Sequence, residues 1–220
     1  MRKLKIFNQL HIKTKRNYIS RMLDDKVNCM VEAKKFQKNY WDGARKFGYG
    51  GYKYIPGLLT PIAKSILKKY KLKRNSKILD VGCGKGFLLK EIKLLRPDLQ
   101  LVGLDISSYA IKNGKINKDI KLSIFNAKKN LPFKKNYFDL VLCMGLIHNF
   151  KVYQAKKLLK ELERVAKKKY LMTESYKDEN ELFNLQCWAL TCETFFSPDE
   201  WLWLFKEAKY TGDYELIYFR

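Results

Sequence analysis

Lys77-Ile78-Leu79-Asp80-Val81-Gly82-Cys83-Gly84-Lys85-Gly86-Phe87-Leu88-Leu89-Lys90-Glu91-Ile92 is the stretch whose reading decides the fold. Ile78, Leu79 and Val81 form a short apolar run with β-branched members, as a buried strand does. Gly82, Gly84 and Gly86 follow on alternate positions. Glycine takes positive φ without a Cβ penalty and lets a ligand come close to the backbone. Phe87, Leu88, Leu89 and Ile92 then recur at helical spacing. The stretch predicts strand, glycine turn and amphipathic helix, with the unpaired N–H groups of the helix start facing whatever lies over the turn.

The turn is G-x-G-x-G. Dinucleotide sites carry G-x-G-x-x-G with an acid about 20 residues on. Here an acid, Asp80, precedes the turn inside the strand. A carboxylate beside the ligand repels a diphosphate and suits a cationic ligand with an amino acid tail. Further along, Leu101-Val102-Gly103-Leu104-Asp105 reads as a second strand. Asp105 stands at its carboxyl end, where open α/β sheets bind ligands. A carboxylate there can accept both hydroxyls of a ribose.

Four blocks carry a family resemblance: Asp80-Val81-Gly82-Cys83-Gly84-Lys85-Gly86; Leu104-Asp105-Ile106-Ser107; Asn126-Ala127 ahead of Leu131-Pro132-Phe133; and Phe138-Asp139-Leu140-Val141-Leu142. In this order they resemble the class I S-adenosylmethionine-dependent methyltransferases. The resemblance implies an α/β fold: a doubly wound, mostly parallel, seven-stranded Rossmann-like sheet whose last strand is antiparallel. It implies S-adenosyl-L-methionine as cofactor, with Asp80, Gly82, Cys83 and Gly84 at the methionine end, and Cys143 and Met144 lining that end too. Asp105, with Ile106 beside it, would hold the ribose, and Asn126 and Ala127 the adenine edge. The family usually has Asp where Asn126 stands, but the Asn carbonyl still accepts from an adenine amino group.

Residues 1–57 are expected to form an N-terminal helical and aromatic cap, and residues 58–220 the methyltransferase domain. Ile19, Met22, Leu23, Val27, Met30 and Val31 recur at mixed three and four spacing and predict helix across residues 3–38. Such a segment is either a lid or brace outside the sheet, or a surface helix that closes the core. Residues 40–57 then mix glycines with large aromatics in one loop. Disordered loops avoid aromatics, so this loop should be ordered and packed over a pocket. By the resemblance, Tyr49 and Tyr52 would lie near the sulfonium or the methionine carboxylate. Tyrosine faces attract cations, and Arg45 could pair with a carboxylate or phosphate. A hydrophobic plug with glycine turns is the other reading.

The remaining chain alternates. Helix is predicted over residues 58–70, 109–116, 153–166 and 180–195, and strand over 120–125, 138–144, 170–173 and 214–219. Ser107 is an N-cap candidate, and Ser197-Pro198-Asp199-Glu200 is a capping box opening one more helix. The stretch 206–210 is the candidate sixth strand. His148 falls just past the fourth strand, where a His can act as general base or serve as a structural contact. Glu174, at the end of the fifth, could position a substrate hydroxyl or ammonium group, or cap the next helix.

Composition sets outer bounds. The chain has 220 residues, 46% hydrophobic, and a formal net charge of +23. No apolar run approaches the roughly 18 residues of a membrane span, and no secretory signal pattern opens the sequence. Five cysteines without framework spacing read as reduced thiols in a cytoplasmic protein. Cys187 and Cys192 have no nearby His or further Cys, so no metal site is expected. The charge could mark a nucleic acid partner. Lys is scattered everywhere, however, and Arg, the preferred residue for bidentate recognition, is scarce. No Asn-Pro-Pro-Tyr block follows the fourth strand, and no Pro-Cys nucleophile is present. The expected function is methyl transfer to a small anionic or hydroxylated molecule. An RNA-directed methyltransferase or RNA-binding protein is the alternative, with nucleic acid possible but not favoured. A nicotinamide-dependent oxidoreductase fits the turn poorly, and a non-catalytic cofactor-binding protein is the blandest option. The oligomeric state is not legible.

Overall fold

The computed structural model describes residues 1–7, 11, 14–114 and 118–220. Its centre is a sheet of six parallel strands: β1 (Lys77–Val81), β2 (Gln100–Asp105), β3 (Ile120–Ile124), β4 (Phe138–Met144), β5 (Ala166–Glu174) and β6 (Asp213–Ile217), in spatial order β3-β2-β1-β4-β5-β6. The order reverses between β1 and β4, the switch point at which open α/β sheets hold ligands at their carboxyl ends. Alternation along β1 sends Ile78 into one apolar layer, and Leu79 and Val81 into the other. Ile62, Ile66, Leu89 and Tyr170 build the first layer. Leu158, Leu162, Trp201 and Phe205 build the second. Both faces are covered, as an all-parallel sheet requires.

The seven-stranded sheet with an antiparallel last strand is therefore corrected. The stretch 206–210 is no strand: it is the end of helix α9 (Pro198–Glu207) and the turn after it. The strand expected as the seventh is β6, and it runs parallel to β5. Between them lie α8 (Glu179–Trp188) and α9, a helical crossover that returns the chain in the same direction rather than as a hairpin. The position beyond β6 is taken by the N-terminal segment. Lys3 forms a parallel bridge with Tyr214, Leu4 N–H donates to Tyr214 O (2.8 Å) and Tyr214 N–H to Arg2 O (3.0 Å). The Glu215 carboxylate accepts from the N–H groups of Ile6 and Phe7 at 2.7 and 3.0 Å.

Of the helix expected across residues 3–38, residues 8–10, 12 and 13 lie outside the described residues; from residue 14 on it is broken into α1 (Tyr18–Leu23) and α2 (Lys26–Ala33), with α3 (Lys38–Asp42) starting at its end. Asp25, in the left-handed region at φ 48°, separates the first two. Helix α2 buries Cys29 and Ala33 beside Leu190, while Ile19, Leu23, Val27 and Val31 are exposed. Helix α4 (Thr60–Tyr70) and α5 (Phe87–Leu95) pack together on the sheet, and α6 (Ser108–Asn113) starts on the Ser107 cap, whose Oγ accepts Ala110 N–H at 3.0 Å. Of the helix expected over 109–116, the part from 115 on lies outside the described residues. Helix α7 (Val152–Val165) hands directly into β5. Lys167-Lys168-Lys169 thus begin a strand instead of ending a helix. The helix expected over 180–195 stops at Trp188, where Ala189 turns extended. Among the described residues, no helix is long and apolar enough to cross a membrane.

Candidate active site

A pocket of about 460 Å³ opens at the carboxyl ends of β1, β4 and β5, under the loop of residues 40–57. Asp80, Gly82, Cys83 and Gly84 line one wall; Met144, His148 and Glu174 line another; Tyr49 and Tyr52 hang from above. These nine expected site residues are brought together from four separate segments of the chain.

The glycine turn is held against β2. Gly82 and Cys83 N–H groups both donate to Leu104 O, at 2.8 and 3.1 Å. Gly82 and Gly84 take φ of +82° and +55°, a region that glycine enters without strain. Gly84 is needed twice over: a Cβ there would stand 2.8 Å from Cη2 of the Trp41 indole. The Asp105 carboxylate is buried and accepts Gly84 N–H on one oxygen and Ser107 N–H on the other, each at 2.8 Å. Each oxygen keeps a second lone pair.

Asp80 is buried at the pocket floor with no cationic partner close enough for an ion pair among the described residues. Burial, with Asp105 adding like-charge repulsion, pushes its carboxyl up to about 7. Burial likewise raises Asp105, but three backbone N–H bonds oppose the rise. The Asp80 shift fixes a pH dependence. The folded protein holds a proton that the unfolded chain loses near pH ~4, so stability falls as pH rises from about 4 to about 7 and is level beyond. The contribution is on the order of 4 kcal/mol. Wild type should lose markedly more stability than Asp80→Asn in urea titrations at about pH 5 and pH 8. Parallel losses in the two proteins would sink this assignment.

His148 sits in a one-turn 3₁₀ helix (Ile147–Asn149) just past β4. Its backbone carbonyl accepts from Glu193 and Thr194 N–H, which fixes the loop. Its Nε2 lies 3.6 Å from a Glu174 carboxylate oxygen, and its Nδ1 is 3.4 Å from Thr173 Oγ1. The two catalytic candidates are thus neighbours, one at each of two adjacent strand ends. Glu174 does not cap α8; Asp178 does, accepting Glu181 N–H at 2.9 Å.

Other expected contacts fall elsewhere. Cys143 is fully buried in the core under α7 rather than at the methionine end, because neighbouring strand residues face opposite ways and it is Met144 that faces the pocket. Burial raises its thiol. Asp105, Ile106, Asn126 and Ala127 are not on the pocket wall. Ile106 is exposed, and Asn126 Oδ1 accepts Lys128 N–H in a local turn. Trp41 explains the separation at Asp105. Its indole lies over Gly84, donates to Ser107 Oγ (2.9 Å) and Phe36 O (3.1 Å), and stacks on Tyr49 at 5.3 Å with rings 5° from parallel.

Two further features were not legible in sequence. Lys85, in the glycine turn and buried, donates to both Asp42 carboxylate oxygens (2.7 and 2.6 Å) and to Tyr52 O (2.8 Å). Asp42 also accepts Tyr109 O–H and Tyr52 N–H. Burial opposes the Asp42 charge, but the Lys85 and Tyr109 bonds outweigh it and hold the carboxyl below its usual range. Tyr54 and Thr60 hydroxyls add a second tie, both donating to the buried Glu91. The aromatic loop is thereby locked onto the turn and α5.

The parallel sheet, the G-x-G-x-G turn and an acid at the end of β2 define the class: a Rossmann-like, S-adenosylmethionine-dependent type of methyltransferase fold. The chain belongs to the methyltransferase domain family, which matches residues 72–209. Among its relatives, it is 29% identical over 156 residues to a ubiquinone biosynthesis O-methyltransferase from Pelagibacter ubique, covering 59% of this chain and 60% of that protein. It is 37% identical over 75 residues to a malonyl-[acyl-carrier protein] O-methyltransferase from Legionella pneumophila, covering 33% of this chain and 26% of that protein. These matches span no more than about three-fifths of either relative. A plantazolicin methyltransferase solved with a pentazolic desmethylPZN analog and SAH shares the fold, with TM-score 0.58 and 18% identity over 82% of this chain and 75% of that one.

Proposed function

We propose that this chain transfers a methyl group from S-adenosylmethionine to a small anionic or hydroxylated acceptor, with residues 14–57 of the expected cap lying over the reacting groups and residues 2–7 lying instead along β6. The observation that carries the reading is the convergence of Asp80, the glycine turn, Tyr52, His148 and Glu174 on one pocket of about 460 Å³, a volume in the usual range of small-molecule sites. When bound, S-adenosylmethionine supplies an already activated methyl group on a sulfonium. The chain's own work is placement and exclusion of water. Asp80 and the turn would receive the amino acid tail, and Asp105 the ribose hydroxyls. The Tyr49 and Tyr52 faces favour a cation nearby. His148, 3.6 Å from Glu174, would take a proton from an acceptor hydroxyl or amine, with the carboxylate supporting the imidazolium that results.

The Trp41 indole bears on the fit. A ligand that reaches both Asp80 and Asp105 must pass the ring, so it either stacks on the indole or moves it aside. The test is calorimetric titration with S-adenosylmethionine and, separately, with NADH. One site for the first and none for the second is expected. Binding of NADH alone, or of neither, would overturn the reading.

A further inference from the structure

The chain has eight arginines, and three of them stand at one wall of the pocket. Arg16, Arg21 and Arg45 place their guanidinium carbons 5.4, 4.7 and 5.0 Å from the centre of the Trp188 ring. Elsewhere, Arg2, Arg96, Arg164 and Arg220 each have an Asp or Glu partner. Among the described residues, none makes an ion pair with Arg16, Arg21 or Arg45. Their polar contacts are with carbonyls, an imidazole and a phenol: Arg16 with His11, Thr14 and Tyr18, Arg21 with Trp188 and Arg45, and Arg45 with Gly48. Arg16 Nε is buried without a partner.

Each guanidinium is disfavoured where it stands. Burial lowers all three; Arg45 adds to the fall at Arg21, down to about 10, and Arg16 to that at Arg45. The groups facing them include Lys26, a further cation, and two acids outside ion-pair range, Glu174 near Arg16 and Asp24 near Arg21. The carboxyl end of α8 accounts for part of the cluster. Lys26 donates to Cys187 O and Ala189 O, and Arg21 Nε to Trp188 O, as cations do at a helix C-terminus. It does not account for Arg16 or Arg45, which leave that helix end untouched by any hydrogen bond yet line the pocket.

We propose that Arg16, Arg21 and Arg45 form a subsite, floored by Trp188, for a phosphate or diphosphate group on the acceptor molecule. A single carboxylate offers one bidentate face and one charge, which leaves two of three guanidinium groups repelling each other. A phosphate or diphosphate has the charge and the oxygens to meet all three forks. The subsite rests on the methyl-transfer reading only for what its ligand is doing there. It lies on the same pocket as His148 and Glu174, so an acceptor anchored by its phosphate would present its remainder to them.

The test is titration of the whole chain with inorganic pyrophosphate in about 0.15 M salt, where diffuse attraction is screened. Wild type, Arg16→Gln, Arg45→Gln, Arg45→Lys and the exposed Arg74→Gln are compared, with thermal melts to check folding. Expected is one pyrophosphate site, weakened at least about tenfold by Arg16→Gln and Arg45→Gln, less by Arg45→Lys, and not by Arg74→Gln. S-adenosylmethionine affinity should stay within about threefold in every variant. Absence of pyrophosphate binding, or equal weakening by Arg74→Gln, overturns the subsite. Weakening of S-adenosylmethionine alone by the pocket variants overturns it too, because the cluster would then hold the cofactor's carboxylate. Retained S-adenosylmethionine binding with no pyrophosphate site removes the subsite and leaves methyl transfer standing. Pyrophosphate binding without S-adenosylmethionine binding supports the anion site and removes the methyl-transfer reading.

Discussion

Asp105→Ala is expected to weaken S-adenosylmethionine binding by at least about 100-fold. The Asp105 carboxylate holds the Gly84 and Ser107 N–H groups at 2.8 Å, so it both shapes the turn and is the acceptor to which ribose hydroxyls would donate. Hydrogen bonds to a charged group contribute about 1.5–3 kcal/mol each, and two are lost together. Alanine also leaves two buried N–H groups without an acceptor, so part of the loss comes from a loosened turn. Asp105→Asn lessens both effects, leaving one of the two N–H groups without an acceptor instead of both. It is nearly isosteric, keeps one acceptor oxygen, and should retain the fold while weakening binding by about tenfold. Calorimetric titration of the three proteins reads both numbers. An affinity in Asp105→Ala within about threefold of wild type would remove the ribose from this carboxylate.

Lys85→Met should lower the melting temperature by roughly 6–12 °C. The substitution leaves Asp42 with Tyr109 O–H and Tyr52 N–H but without its cation. Removing one member of a buried pair costs about 3–5 kcal/mol, and the Asp42 side chain is 24% exposed, which puts the cost at the lower end, about 3 kcal/mol. The damage should be local. Tyr52 loses its carbonyl partner as well, so the loop of residues 43–57 should become sensitive to proteolysis before the sheet does. The double variant Asp42→Asn/Lys85→Met removes the stranded charge and should recover part of the loss. A melting temperature unchanged to within about 2 °C would show that the pair does not hold the loop.

What sequence could and could not reveal divides along physical lines. Strand, turn and helix at residues 77–92 were legible because their signals are local: a β-branched run, alternate glycines, then apolar spacing of three and four. Asp105 at the end of β2 followed from the same logic. The direction of β6 was not legible, since it is set by the crossover through α8 and α9 and by nothing in the strand itself. Cys143 and Met144 could be placed on one strand, but which faced the pocket depended on the register with β5. The loop of residues 40–57 was legible as ordered by its aromatics, yet Trp41, which shields Asp105 from the pocket, looked no different from its neighbours. Arg16 and Arg21 carried no signal at all. They meet Trp188 from more than 160 positions away, as the Arg21–Trp188 contact shows at 167.

The parallel direction of β6 has a consequence in time. Its outer edge is closed by residues 2–7, with Arg2 and Asp213 meeting across 211 positions. Joining such distant segments is a slow, entropically late event, and it cannot begin during synthesis until β6 has emerged. Until then β6, or the bare flank of β5 before it arrives, offers unpaired N–H and C=O groups to any other nascent chain. The seam between residues 2–7 and β6 is therefore a late step of assembly, and one exposed to crowding between partly made copies.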